Sequence, residues 1–169
     1  VAPEELIALA RKTLAEADLA PESVAAVVSV DVKMDETAVH TVAAALGRPA
    51  RFFTPEQLEA ETPGLANPSD IVFHEVGCHG VAEAAALAAV GARGELLVEK
   101  NKTKRATCAI ARAPSVIDAA EVGKPRGRLF VVGTGPGMAD WRSPEVDRLV
   151  SLSTDLVGYG LYLDLLGPL

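Results

Sequence analysis

The sequence predicts an α/β fold in which helices flank a sheet, followed by the start of a further βαβ unit. Three observations carry this. Residues 24–32 are a nearly continuous apolar, β-branched run, as a strand buried on both faces should be. Alanine-rich stretches with helical spacing lie between such runs, as in alternating α/β chains. Aromatic residues are only 4% of the chain, so the apolar half is mostly small and aliphatic, which suits helices packed on a sheet better than an all-β sandwich.

The elements follow in order. Pro3 at a first helical position, with Glu4 and Glu5 at the positive helix end, opens a helix whose core face is Leu6, Ala10, Leu14 and Ala17. After the strand at 24–32, Asp35 is placed to cap a helix over 36–46, which Gly47 closes. Residues 50–53 form a short strand. Thr54 and Gln57 have the form of a capping box at the head of a short helix. A strand is expected over 71–76, a helix over 81–90 ending at Gly91, and a hairpin from 95–98 and 105–111. Two prolines and two glycines make the segment up to Gly127 read as a linker. Residues 128–132 read as a fresh strand, Ser143 and Pro144 as the head of a helix, and 155–158 as another strand start.

Composition narrows the function. A net charge of −7 argues against non-specific nucleic-acid binding. No stretch reaches the roughly 18 unbroken apolar residues of a membrane span. The N-terminus lacks the basic lead and apolar core of a secretory signal. Cys78 and Cys108 are therefore expected as free thiols in a reduced, cytoplasmic setting.

Five motifs carry candidate chemistry. The turn Gly77-Cys78-His79-Gly80, with His74 before it, invites a metal or thiol-nucleophile reading. Its spacing matches no common zinc pattern, and neighbouring Cys and His side chains usually diverge, so two ordinary turn residues are the better reading and no metal site is expected. Lys100, Lys102, Lys104 and Arg105 put four cations in six positions of an acidic protein, a local anion site suited to a polycarboxylate, or a solvated hairpin tip. Asp31, Lys33 and Glu36 stand beyond the carboxyl end of a predicted parallel strand, where open α/β sheets bind ligands. Glu83, in the first turn of a helix, either favours the helix dipole or serves as an acid–base group. In the C-terminal part, Gly133-Thr134-Gly135-Pro136-Gly137 follows a predicted strand, where glycines free amides for an anion or simply make a tight turn. It lacks the lysine of a phosphate loop and the third glycine of a dinucleotide fingerprint, which weighs against a generic nucleotide-binding domain.

The strings 77–87, 94–102 and 106–112, with 29–36 before them, resemble the C-terminal domain of the cobalamin biosynthesis proteins of the CbiG and CobE type over about residues 1–113. The resemblance implies an α/β domain acting on a corrin-ring intermediate. In the CbiG type the implied reaction opens the ring lactone of cobalt-precorrin-5A and releases acetaldehyde; the role of the CobE type is less defined. By motif match it implies Glu83, Asp31 and Lys33 as catalytic candidates, and Gly77, Cys78, Lys100, Lys102 and Lys104 as substrate-binding candidates, with no cofactor for this part. Residues 131–137 and 158–164 resemble the start of precorrin-3B C(17)-methyltransferases (CobJ/CbiH type), which use S-adenosylmethionine. That implies cofactor-binding roles for Gly133, Gly135, Pro136 and Gly137, although Met138 departs from the family by standing where an acidic residue is usual. The expected organisation is a CbiG/CobE C-terminal-like domain at 1–113, a linker at 114–127 and a methyltransferase fragment at 128–169, cut from a longer fusion. The fragment is not expected to bind S-adenosylmethionine. The expected partner is an anionic tetrapyrrole, a precorrin or cobalt-precorrin, with a second copy of the chain as an option and neither nucleic acid nor membrane. A non-catalytic tetrapyrrole carrier is the rival function.

Overall fold

In the computed structural model, which describes residues 1–167, helix α1 (Pro3–Glu16) starts on Pro3 with Glu4 and Glu5 in its first turn, as the sequence predicts. It buries Leu9, Ala10, Thr13 and Leu14. Strand β1 (Val27–Val30) is shorter than the apolar run suggests, because the chain turns into a tight 3-10 segment at Asp31–Lys33. Helix α2 (Thr37–Ala45) then returns the chain to strand β2 (Ala50–Phe53), which pairs parallel to β1 from Val27 opposite Ala50 to Val30 opposite Phe53. This βαβ unit places the loops after Val30 and Phe53 at the same end of the pair. Gly47 ends α2 at φ +63°, a left-handed conformation that glycine adopts without strain. Asp35 does not cap α2: Glu36 occupies the cap position without a side-chain bond, and Asp35 pairs instead with Arg126 at 2.8 Å.

Helix α3 (Pro55–Glu59) carries the full capping box, Thr54 accepting from the Gln57 amide and the Gln57 side chain from the Thr54 amide. The strand expected over 71–76 is instead helix α4 (Asp70–Val76). A short apolar run does not distinguish strand from helix. Here Asp70 in the first turn and Gly77 at φ +85° frame a helix, and none of its residues is buried. Helix α5 (Ala82–Val90) follows, with Glu83, Ala84, Ala85, Ala86 and Leu87 all buried. Small alanine side chains let α5 pack closely against β1 on one side and, on the other, against the antiparallel hairpin of β3 (Glu95–Lys102) and β4 (Thr107–Arg112). The core joins Val30, Phe53, Leu58, Cys78, Ala84, Ala85 and Val122.

Val122 belongs to the segment expected to be a linker, and that expectation fails over 117–124. Phe52 and Lys124 exchange two backbone hydrogen bonds of 2.8 Å along the free edge of β2. Arg51 donates to the carbonyls of Ala120, Val122 and Gly123. A row of unpaired backbone groups on β2 recruits this segment, a long-range demand that composition does not register. The chain forms two units, Val1–Arg126 and Gly127–Leu169.

In the second unit, Ser143 caps helix α6 (Pro144–Leu152) through the Val146 amide, as expected, and helix α7 (Gly160–Asp164) follows. The strands expected at 128–132 and 155–158 do not form. Leu129, Val131 and Val157 are almost fully exposed, and an extended segment without a neighbouring strand has no ladder to join. No helix among the described residues is long and apolar enough to cross a membrane, and both cysteines are free thiols.

Candidate functional site

The carboxyl ends of β1 and β2 converge with the glycine turn after α4. Asp31 and Lys33 leave β1, while Glu59 ends α3 just beyond β2. The turn presents His79. Its Nδ1 lies 2.9 and 3.0 Å from the two carboxylate oxygens of Glu59, and its backbone amide donates to Glu59 Oε2 at 3.0 Å. Thr62 donates its hydroxyl to the same carboxylate at 3.0 Å. The ring stacks on Phe73 with centroids 4.5 Å apart and planes 25° apart, and its Nε2 stands 3.5 Å from the exposed carboxylate of Asp70. The His79 hydrogen bond, assisted by the other donors, outweighs desolvation and holds the Glu59 carboxyl below its usual range. The sequence marks His79 as an ordinary turn residue and gives no sign of Glu59. Twenty residues separate the pair, and no local pattern links a helix C-terminus to a distant turn.

The expected residues divide. Glu83 is 2% exposed and faces only donors. Oε2 accepts from the Ala66 and Asn67 amides at 3.0 and 2.9 Å; Oε1 accepts from Asn67 Nδ2 at 2.8 Å and the Lys100 amide at 2.7 Å. Burial opposes its charge, but these bonds, led by the Lys100 amide, win and hold the carboxyl below its usual range. A saturated, water-excluded acceptor is poorly placed to exchange protons with a ligand. Glu83 instead ties the 66–67 loop and β3 to α5, and the acid–base expectation gives way to an architectural one. Cys78 is fully buried in the core, and burial pushes its thiol up, so its side chain does not reach a ligand. The substrate-binding expectation for Cys78 is corrected accordingly. Gly77 closes α4 in a left-handed conformation, with room for an added Cβ at 3.5 Å from Pro55. Lys33 is exposed at the end of the 3-10 segment that follows β1. Asp31 is half-buried, with no side-chain hydrogen bond among the described residues.

Lys100 donates its ammonium to the Asn67 carbonyl at 3.1 Å. Asn67 lies two residues before Ser69, whose amide donates to the His79 carbonyl at 2.8 Å. At about 3.5 Å per residue, the Lys100 ammonium and the His79 turn sit on one short stretch of loop. Beyond Lys100, the exposed side chains of Lys102, Lys104 and Arg105 form no salt bridge among the described residues. A half-buried imidazole–carboxylate pair is thus linked by one loop to a free cationic tip, an arrangement for an anionic ligand that also offers proton transfer.

In the second unit, the glycine loop turns back on its own chain. Gly135 (φ +71°) brings the backbone against the Trp141 carbonyl, where an added Cβ would approach to 3.1 Å, and Gly137 (φ +109°) is crowded in the same way by Leu165. These glycines serve close approach within their own chain. Gly133 has open space around it, but without the expected strand before it the loop lacks the strand-to-turn junction that aims amides at a ligand. Pro136 lies in the turn between them.

The family model described as "Cobalamin synthesis G C-terminus" matches residues 1–111. Protein CobE from Sinorhizobium sp is 46% identical over 123 residues, covering 70% of this chain and 80% of the relative. A cobalt-precorrin-5A hydrolase from Priestia megaterium is 34% identical over 110 residues, 65% of this chain but 29% of the hydrolase. The cobalamin biosynthesis protein CobIJ of Mycobacterium tuberculosis (strain ATCC 25618 / H37Rv) is 50% identical over 38 residues, 22% of this chain and 8% of that protein. A crystal structure of CobE, described as a protein from the cobalamin (vitamin B12) biosynthetic pathway, superposes with a TM-score of 0.62 at 39% identity, covering 66% of this chain and 82% of that one.

Proposed function

The chain belongs to the Cobalamin synthesis G C-terminus family, and from that premise we propose that its first unit acts on an anionic tetrapyrrole intermediate of cobalamin biosynthesis in the cytoplasm. The observation that carries the reading is the cationic tip of Lys102, Lys104 and Arg105, free of salt bridges among the described residues and joined through Lys100 and the 67–70 loop to the His79 turn. Precorrins carry many carboxylate arms, and a cluster of uncommitted cations on an acidic protein is a focused attraction for such a molecule. The test is titration with cobalt-precorrin-5A followed by absorption. Replacing both Lys102 and Lys104 by Ala weakens binding about tenfold, and raising the salt concentration weakens the wild type more than the variant. Equal affinities at every salt concentration would remove the tip from the site.

Two roles fit this recognition. Hydrolysis of cobalt-precorrin-5A, which the name of the Priestia relative gives for that protein, with opening of the lactone as its step here, is favoured by the imidazole–carboxylate pair. Carriage without turnover is the second role, in which the cationic tip binds the ligand and the imidazole–carboxylate pair transfers no proton. For the second unit we propose the opening segment of a precorrin methyltransferase, supported by the 38 residues that are 50% identical to CobIJ. The chain by itself is expected to bind no S-adenosylmethionine; micromolar binding by calorimetry would overturn that.

A further inference from the structure

We propose that His79, oriented by Glu59, is the general base that opens a cyclic ester in this site; the assignment rests on the tetrapyrrole reading above and takes its lactone-opening branch. The ring is fixed more firmly than a turn histidine needs. Its backbone amide and its Nδ1 both engage one carboxylate, its carbonyl accepts from the Ser69 amide, and its face stacks on Phe73. Glu59 is an ionised acceptor whose oxygens also take the Thr62 hydroxyl. The proton of the neutral imidazole therefore sits on Nδ1, and Nε2 is left with its lone pair. That nitrogen faces Asp70, whose carboxylate is 94% exposed and 3.5 Å away, too long for a good direct bond and suited to sharing a water. The charged groups in contact with the ring are Glu59 from α3 and Asp70 from α4.

The step follows from that placement. His79 Nε2 takes a proton from the water as its oxygen adds to the ester carbon. The tetrahedral intermediate collapses with cleavage of the bond from the acyl carbon to the ring oxygen. The leaving alkoxide takes the proton back from Nε2, giving an alcohol and a carboxylic acid, with water as the only co-reactant. Glu59 touches only His79 and is a positioning residue that holds the tautomer and stabilises the imidazolium.

The test uses the full chain and cobalt-precorrin-5A, scoring binding by the absorption shift and turnover by acetaldehyde released once the lactone is opened. The wild type binds and turns over. His79→Gln binds equally well and loses about 100-fold or more in kcat. Glu59→Gln loses kcat with KM unchanged and shifts the lower limb of the pH–kcat profile, which a purely structural role would not do. Wild-type binding without turnover, or wild-type kcat in His79→Gln, overturns the assignment and leaves the recognition reading standing. Absence of binding overturns both. In case the variants unfold, nitrogen-15 shifts of the wild-type ring decide independently: the neutral form carries its proton on Nδ1, and a proton on Nε2 overturns the assignment.

Discussion

Replacing Glu83 by Gln tests whether this residue is an architectural tie or an acid–base group. The carboxylate accepts four hydrogen bonds, two at each oxygen, from the Ala66, Asn67 and Lys100 amides and from Asn67 Nδ2. Glutamine has the same shape but one carbonyl oxygen, so two donors would face an NH₂ group. Each unsatisfied buried donor costs about 1–3 kcal/mol, and solvent access to the loop brings the pair to about 2–4 kcal/mol. For a unit of this size that corresponds to a fall of roughly 10 °C in melting temperature. The loss also depends on pH. A carboxyl held below its usual range contributes stability that is present above the unfolded-state value of about 4.3 and is lost as pH falls through the folded-state value. The variant has no such group, so the gap between the two proteins is full near pH 7 and narrows on acidification through that window. Thermal denaturation followed by circular dichroism at several pH values measures it. A variant melting within about 2 °C of wild type at pH 7 would refute the four-bond account. Loss of turnover without loss of stability would return Glu83 to the acid–base role.

Two further outcomes bear on the turn. Gly77→Ala places a side chain at φ +85°, and since its Cβ would meet Pro55 at an ordinary contact distance of 3.5 Å, the cost is the strained backbone alone, about 1 kcal/mol, or a fall of a few degrees in the melt; an unchanged or raised melting temperature would show that the turn relaxes. Cys78, buried with its thiol pushed up, should react with a thiol reagent only at the rate of unfolding, whereas half-buried Cys108 reacts earlier; rapid labelling of both in the native protein would show that the turn opens.

Local chemistry that acts within a few residues was legible in the sequence. Pro3 with its acidic neighbours, the Thr54–Gln57 box, Gly47, Gly91 and Ser143–Pro144 all mark helix ends where the structure has them. The β3–β4 hairpin and the parallel pairing of an apolar β1 were legible for the same reason, and the family motifs pointed to cobalamin biosynthesis. What failed depended on neighbours far along the chain. Residues 71–76 are helical because no strand edge stands beside them, and 128–132 stay unpaired because none offers a ladder. Segment 117–124 is ordered because β2 has an open edge and Arg51 to hold it. Alone, the sequence determined where helices begin and end, which face is apolar and which loop is cationic, since these are set by the side chains and backbone freedom of adjacent residues. Only the tertiary structure decided that Glu83 is spent on four donors, that Cys78 is core, and that Glu59 meets His79. Those outcomes depend on which groups burial brings within hydrogen-bond reach, and that distance is independent of separation along the chain.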